Sequence, residues 1–433
     1  MRKLVIVLLA VFSLEAVAQS VSDTYNTMSP YSIFGVGRLS FDGTLETRSM
    51  AGAGTAYTMP GLVNTVNPAS LSNLKQTVYT LGANYEHVIY DGGRVRNTTN
   101  DARFNYLIFS VPLSGKTAVQ VGIAPYTVTG YTVYSYDSLL VDGALKGSLD
   151  YYAGNGGLNM GFASLGVEVI KNFSIGASAA YLFGETKRST YNYLEDRLTH
   201  TKIQYIDWMR GAKFKIGVNY NTALKDDIRL YLGATYEFTA GMKNERDYMR
   251  YTVDGYEDEY DEGNPQNYRE KNEYSFSLPT TITAGVGVGN MKRWYVGLEG
   301  KYTEAPDWKN VDFIRSEATY KSGMRVALGG HYQPNMNSTN SYWARIRYMA
   351  GVYYASETFE VRGNEVKDMG VTLGASLPFT KIESQTMAIS NFNIFLNAGS
   401  LGKNTDGLIS EGYIKVGISF TLNDRWFLKH KYN

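Results

Sequence analysis

The chain of 433 residues has no cysteine. That absence excludes a lipid-anchored lipoprotein, a disulfide scaffold, cysteine catalysis and thiolate metal sites together. Histidine is nearly missing too: His87, His200, His331 and His430 are scattered without the spacing of metal ligands. A net charge of +1 gives no nucleic-acid footprint. No Gly-x-Ser-x-Gly elbow and no phosphate-cradling loop occur, because Gly285-x-Gly287-x-Gly289 sits inside a strand pattern where small inward residues suffice. Neither an enzyme, a cofactor nor a metal site is expected. Past the first residues no long apolar run remains, so no transmembrane helix is available.

What is present begins with an export signal. Arg2 and Lys3 give a positive start, Leu4 to Leu14 a mostly apolar stretch, and Ala16-Val17-Ala18 a small-residue cleavage site before Gln19. An exported chain without a membrane helix is either soluble or a membrane barrel. A repeated beat favours the barrel. Ile414, Val416, Ile418, Phe420 and Leu422 alternate with Lys415, Gly417, Ser419 and Thr421. Only an extended strand puts alternate residues on opposite faces, one greasy and one wet. The same alternation runs through Ile228 to Phe238 and through Ile282 to Val288. Tyrosine, at 36 residues, suits strands and also the two membrane interfaces. A mean hydropathy of −0.26 is compatible, since half of each strand would face water.

Alternation and turns predict about fourteen strands between residues 75 and 422, an even number as closed antiparallel barrels of this kind require. Ser114-Gly115-Lys116, Lys171-Asn172 and Asn290-Met291-Lys292 read as tight turns, while 128–157, 188–200, 243–271 and 305–316 read as long loops. Short turns belong in the periplasm, which would place both chain ends there. Arg345, Arg347, Glu299 and Lys301 should point into the lumen, because Arg or Lys facing mid-bilayer lipid costs about 2–4 kcal/mol. Acidic residues crowd 243–271 without the spacing of a calcium loop, so a solvated loop is expected. The expected organisation is a signal peptide at 1–18, a non-alternating segment at 19–74, the barrel at 75–422 and a periplasmic tail at 423–433. Trp426 and Phe427 in that tail stand where many such barrels end on an aromatic residue.

Residues 19–74 are punctuated too often by Gly and Pro for a long helix or strand, yet are too apolar for a casual tail. Gly52-Ala53-Gly54 is followed by Asn67-Pro68-Ala69-Ser70-Leu71 just before the first barrel strand. Further on, Gly154-Asn155-Gly156-Gly157-Leu158 leads into a strand, and Ala180-Tyr181-Leu182-Phe183-Gly184 closes the next hairpin. These motifs resemble the FadL-like transporters, which carry long-chain fatty acids and other hydrophobic molecules across outer membranes. The resemblance implies an all-β, transmembrane antiparallel β-barrel of about fourteen strands with an N-terminal hatch. Gly52, Gly54, Asn67, Pro68 and Ala69 would form the gating element. Read physically, Pro68 forces a turn, and the Asn67 amide can hold that turn or a barrel-wall residue.

In that family a kink in the third strand opens a lateral gap, and Pro125 stands in the third candidate strand. Proline inside a strand belongs at an edge or a bulge, although Pro125 could equally mark the strand's outer end. The apolar and aromatic residues of 128–157, notably Leu139, Leu140, Leu145, Tyr151 and Tyr152, are candidates to capture a greasy ligand. A hairpin burying those side chains against its neighbours is the alternative. The expected function is passive passage of a fatty-acid-like molecule, with that molecule and outer-membrane lipids as partners and no nucleic acid. Two alternatives stand beside it. One is a structural barrel, a subunit of a secretion or surface-assembly complex with partner proteins. The other is a barrel enzyme acting on lipid.

Overall fold

The computed structural model describes residues 29–424, apart from 41–42, 94–95, 142, 255–259, 262, 265, 309–317, 380–388 and 406. The export signal, the tail from 425 with Trp426 and Phe427, and much of the acidic cluster lie outside them. The first strand, β1 (Arg38–Leu39), belongs to the N-terminal segment. The wall then runs β2 (Thr77–Asp91), β3 (Arg96–Ser114), β4 (Thr117–Pro125), β5 (Thr127–Val141), β6 (Ala144–Ile170), β7 (Phe173–Leu194) and β8 (His200–Lys225). It continues through β9 (Ile228–Val253), β10 (Tyr268–Phe276), β11 (Thr281–Asn290), β12 (Trp294–Thr303), β13 (Ala318–Tyr320) and β14 (Gly323–Tyr332). The last four are β15 (Arg347–Val361), β16 (Asn364–Pro378), β17 (Asn391–Leu401) and β18 (Ser410–Asp424).

Three wall strands are each interrupted once, giving the pairs β4 and β5, β10 and β11, and β13 and β14. Counted that way the wall is a closed barrel of 14 antiparallel strands, sealed where β18 pairs with β2 from Ser410↔Asp91 to Asp424↔Thr77. The outward face of β18 carries Ile414, Val416, Ile418, Phe420 and Leu422, all exposed, while Ser419 and Thr421 are buried inside. The same division holds for Ile282 against Thr283 and for Val371 and Leu373 against Thr372. Period-two alternation thus places grease toward lipid and hydroxyls toward the lumen.

The two ends of the barrel differ. At one end most strands join by tight turns, with Asn172, between β6 and β7, and Asp226, between β8 and β9, in left-handed backbone conformation, while the β14–β15 and β16–β17 connections are longer. At the other end the predicted long loops 128–157, 188–200 and 243–271 are largely strand where described, while most of 305–316 lies outside the described residues. Residues 128–157 form the β5–β6 hairpin, paired without register shift from Thr129↔Gly156 to Val141↔Ala144. Most of 188–200 belongs to β7 and the ends of 243–271 to β9 and β10. The upper parts of β5 to β10 therefore rise as a six-stranded sheet beyond the apolar band, which ends near Tyr181 and Phe183 on β7 and Trp208 on β8. The alternation signal stops there because above the bilayer neither face has to be apolar, whereas the hydrogen-bonded ladder continues. β6 bends at that level through Gly156 and Gly157, both at positive φ that a side chain would resist.

The interior is occupied. Residues 29–76 enter at the tall end, descend the lumen and leave at the short-turn end, where β2 begins. Ser29 donates to Glu411 at 2.6 Å near the tall end of β18, whereas Lys75 reaches the Gly115 carbonyl in the β3–β4 turn at 2.5 Å. The first described residue accordingly lies at the end opposite to the one expected for both termini. Leu45, Met50, Tyr57, Ala69 and Leu71 are almost wholly buried against the wall.

Candidate functional site

The lumenal segment meets the wall through a belt of glycines. A Cβ at Gly217 on β8 would collide with Asn67 Oδ1, one at Gly233 on β9 with the Thr55 carbonyl, and one at Gly176 on β7 with the Ala69 nitrogen. Across the lumen, Gly329 on β14 and Gly351 on β15 face the Met50 backbone, and Gly374 on β16 faces Ser49. The register aligns these positions in the sheet, with Gly176↔Gly217, Gly233↔Gly285 and Gly329↔Gly351 directly paired. Only a missing side chain lets the two backbones approach this closely.

Asn67 is the rivet of this contact. Its amide nitrogen donates to the Thr55 carbonyl at 2.8 Å and to the Val218 carbonyl of β8 at 2.9 Å. Its Oδ1 accepts from Ala69 N at 3.0 Å, capping the 3-10 turn Pro68–Asn73. Pro68 supplies the fixed φ of that turn's first residue, and Ala69 is fully buried over Gly176. Gly52, at φ 79, lies against the Arg325 guanidinium, while Gly54 packs on Val66. Gly52, Asn67, Pro68 and Ala69 of the expected gating element thus meet the wall, whereas Gly54 packs within the segment.

Buried polar groups hold the segment elsewhere. Glu46 Oε1 accepts from Thr421 at 2.8 Å and from Asn393 at 2.9 Å, and burial raises its carboxyl above the ordinary carboxylate range. Its second oxygen has no hydrogen-bond partner among the described residues. Glu299 on β12 accepts from Thr55 N at 2.7 Å. Near the tall end, Arg38 bridges to Asp368 at 3.4 Å and to Glu411 at 3.7 Å. Opposite, Arg188 donates to the Gly35 carbonyl at 2.5 Å and lies 3.5 Å from Asp207, which Arg246 binds through two nitrogens. Charges this deep survive only when paired and hydrogen-bonded.

The segment divides the lumen. Below it a cavity of about 860 Å³ opens at the short-turn end, lined by Met59, Leu62, Arg229, Arg345 and Arg347 among others. Arg345 lies in a short 3-10 turn (Trp343–Arg345), not in a strand as expected. Toward the tall end, between the segment and the wall, a cavity of about 270 Å³ sets Phe34, Trp308 and Phe359 against Lys301 and Arg325.

Pro125 ends β4, and after Tyr126 the strand resumes as β5. Pairing of β3 with β4 extends only to Leu107↔Ile123, and above that level β3 and β5 do not pair. The wall therefore parts above Ile123, beside Pro125. The opening is filled from within: Arg38 and Leu39 pair with Val128 and Thr127, and Ser29 N donates to the Gly130 carbonyl. Below it, on the lipid-facing side, Val121, Ile123, Gly161, Ala163, Ala179 and Phe214 line an apolar hollow of about 670 Å³.

Leu139, Leu140 and Leu145 stand exposed near the tip of the β5–β6 hairpin, Leu140 at 73% and Leu145 at 75%. Tyr151 instead packs between Tyr134 and Tyr191, and Tyr152 is half-buried beside Asp150. None of these five lines a described lumenal cavity, so they do not gather around the lumen. Sequence reasoning passed over Arg38, Glu46, Arg188, Asp207 and most of the wall glycines. The recurrence of glycine at inward strand positions was the available signal for the last.

Comparison with known proteins follows this geometry. A family model described as BamG matches residues 1–433. No curated protein matches the chain. Among solved structures, a Pseudomonas aeruginosa FadL homologue superposes with a TM-score of 0.59 at 13% identity, covering 90% of this chain and 100% of that one. The Ralstonia pickettii toluene transporter TbuX gives 0.57 at 14%, covering 93% and 100%. A monoaromatic hydrocarbon channel, CymD, gives 0.56 at 14%, covering 90% and 99%. At such identities the likeness establishes a shared barrel fold.

Proposed function

We propose that this chain, which belongs to the BamG family, is a structural barrel of an outer-membrane protein complex that keeps a transporter's fold while its conduit stays filled. It would sit in the outer membrane of a Gram-negative envelope, with the short-turn end facing the periplasm and the tall sheet outside. The observation that carries this reading is the glycine belt. A segment fitted against glycines of six wall strands so closely that a Cβ would collide, and held by Asn67 and Glu46, is built as a core. Moving it aside would strip several buried polar groups of their partners, at about 1–3 kcal/mol each. A family name of the lettered Bam form also supports membership of an outer-membrane assembly with protein partners.

Passage of a hydrophobic small molecule is the second reading. The parted wall at Pro125 and the apolar hollow beneath it favour that reading, with β1 as the element that would have to leave. Native mass spectrometry of the detergent-extracted full chain separates the two. Stoichiometric protein partners on a barrel free of apolar ligand support the assembly role. A partner-free barrel carrying a fatty-acid-like molecule that is lost on replacing Asn67–Ala69 overturns it in favour of transport.

A further inference from the structure

The tall sheet ends in two edge strands, β5 and β10, and β3 offers a third free edge across the wall opening. Exposed edges are templates for another chain, and proteins ordinarily blunt them with charge, proline or a bulge. Two of the three are blunted. β10 carries Arg269, Glu270, Lys271 and Glu273 within nine residues, and the part of β3 that pairs with β2 alone carries Arg96, Asp101 and Arg103. β5 differs. From Thr132 to Leu140 it reads Thr-Val-Tyr-Ser-Tyr-Asp-Ser-Leu-Leu, with one charge, no proline and no register shift against β6.

The direction of its free backbone groups follows from one residue. Gly130 turns both its carbonyl, which accepts from Ser29 N, and its N–H, which donates to Ser32 Oγ, away from β6. With an unbroken ladder above it, Thr132, Tyr134, Tyr136, Ser138 and Leu140 turn theirs the same way. Ser138 N is met by its neighbour Asp137 at 2.7 Å; the other four have no backbone partner on that side among the described residues. At its base the same edge already accepts β1 as a short antiparallel strand. The unused length above is nine residues, or about 30 Å at 3.4 Å per residue.

We infer that an extended polypeptide segment of a partner protein adds as a strand to this upper edge of β5, continuing the ladder that β1 begins. Only another backbone presents donors and acceptors at the repeat this edge requires, and the exposed Tyr134, Tyr136, Leu139 and Leu140 supply side-chain contacts around it. The inference rests on the assembly reading and names the surface and chemistry of its contact.

Hydrogen exchange on the native complex extracted in detergent, compared with the same barrel stripped of partners, tests it. The amides of Thr132, Tyr134, Tyr136 and Leu140 should exchange at least about tenfold more slowly in the complex, while Val133 and Ser135, already bonded to β6, stay unchanged. Tyr136→Pro removes one edge donor without touching the β6 ladder, so it should leave the hairpin intact and weaken partner retention about tenfold. Partners that stay bound while these four amides exchange as fast as in the bare barrel overturn the edge assignment and leave the assembly reading standing. A preparation with no partners takes both down. Protection that remains in the stripped barrel and vanishes on deleting residues 19–28 assigns the edge to the chain's own N-terminal stretch. Protection that tracks barrel concentration assigns it to a second copy. Either of these overturns the inference.

Discussion

Single atoms decide how the lumenal segment is held. A methyl group at Gly217 has to displace the Asn67 amide that binds the Val218 carbonyl. Gly217→Ala should therefore destabilise the folded barrel by about 1–3 kcal/mol, read as an earlier loss of the heat-resistant gel band. Gly300→Ala, where a Cβ meets nothing within 4 Å, should leave the band unmoved. Glu46 carries a second expectation. Burial raises its folded pKa above the unfolded value, so the protonated carboxyl favours the folded state. That contribution is complete below the unfolded pKa and is lost as pH rises through the raised one. Melting followed upward in pH from the ordinary carboxylate range should show this decline in the parent chain and a flatter profile in Glu46→Gln. The sequence marked Asn67 as a residue able to hold a turn or the barrel wall, and it does both, but the wall group it binds was not readable. The carbonyl it binds lies 151 residues downstream, and no local pattern announces such a partner.

Strands were legible where two environments impose period two. Between the tight turns and the level of Tyr181 one face meets lipid and the other the packed segment, so the apolar beat is enforced on β7, β11 and β18 alike. Above that level both faces tolerate polar residues. Runs such as Lys187-Arg188-Ser189-Thr190 consequently gave no strand signal, although the ladder with β8 is continuous there. The long loops expected at 128–157 and 188–200 failed for this one reason. The element that separates the two functional readings is β1. A disulfide between Leu39→Cys and Thr127→Cys, directly opposed in the register, would fasten it to β5 in a chain with no competing thiol. Oxidation should leave retention of protein partners unchanged. If the barrel passes a fluorescent fatty acid at all, the same oxidation should stop that passage.

For the whole molecule, the closed wall and filled lumen predict no steady ion conductance when the intact chain is placed in a planar bilayer. A measurable open pore in the parent chain would mean that the segment leaves its seat without help, contrary to an assembly role. The barrel class was readable in outline from export, alternation and the even strand number. The direction in which the segment threads the lumen was not, because it depends on contacts such as Ser29 with Glu411, 382 residues apart. Similarity to transporters shares its cause with that outline, because it is a likeness of the fourteen-strand fold and not of a site.

The glycine belt also constrains the order in which the barrel can be made. It runs from β6 round to β16, and Thr421 of the final strand closes on Glu46. A sheet already sewn shut between β18 and β2 would offer no side entrance for a segment so closely fitted. Residues 43–74 must be gathered in while the cylinder is still an open trough, serving as the mandrel around which later strands are wound. Synthesis supplies them first, and the seam that imprisons them last.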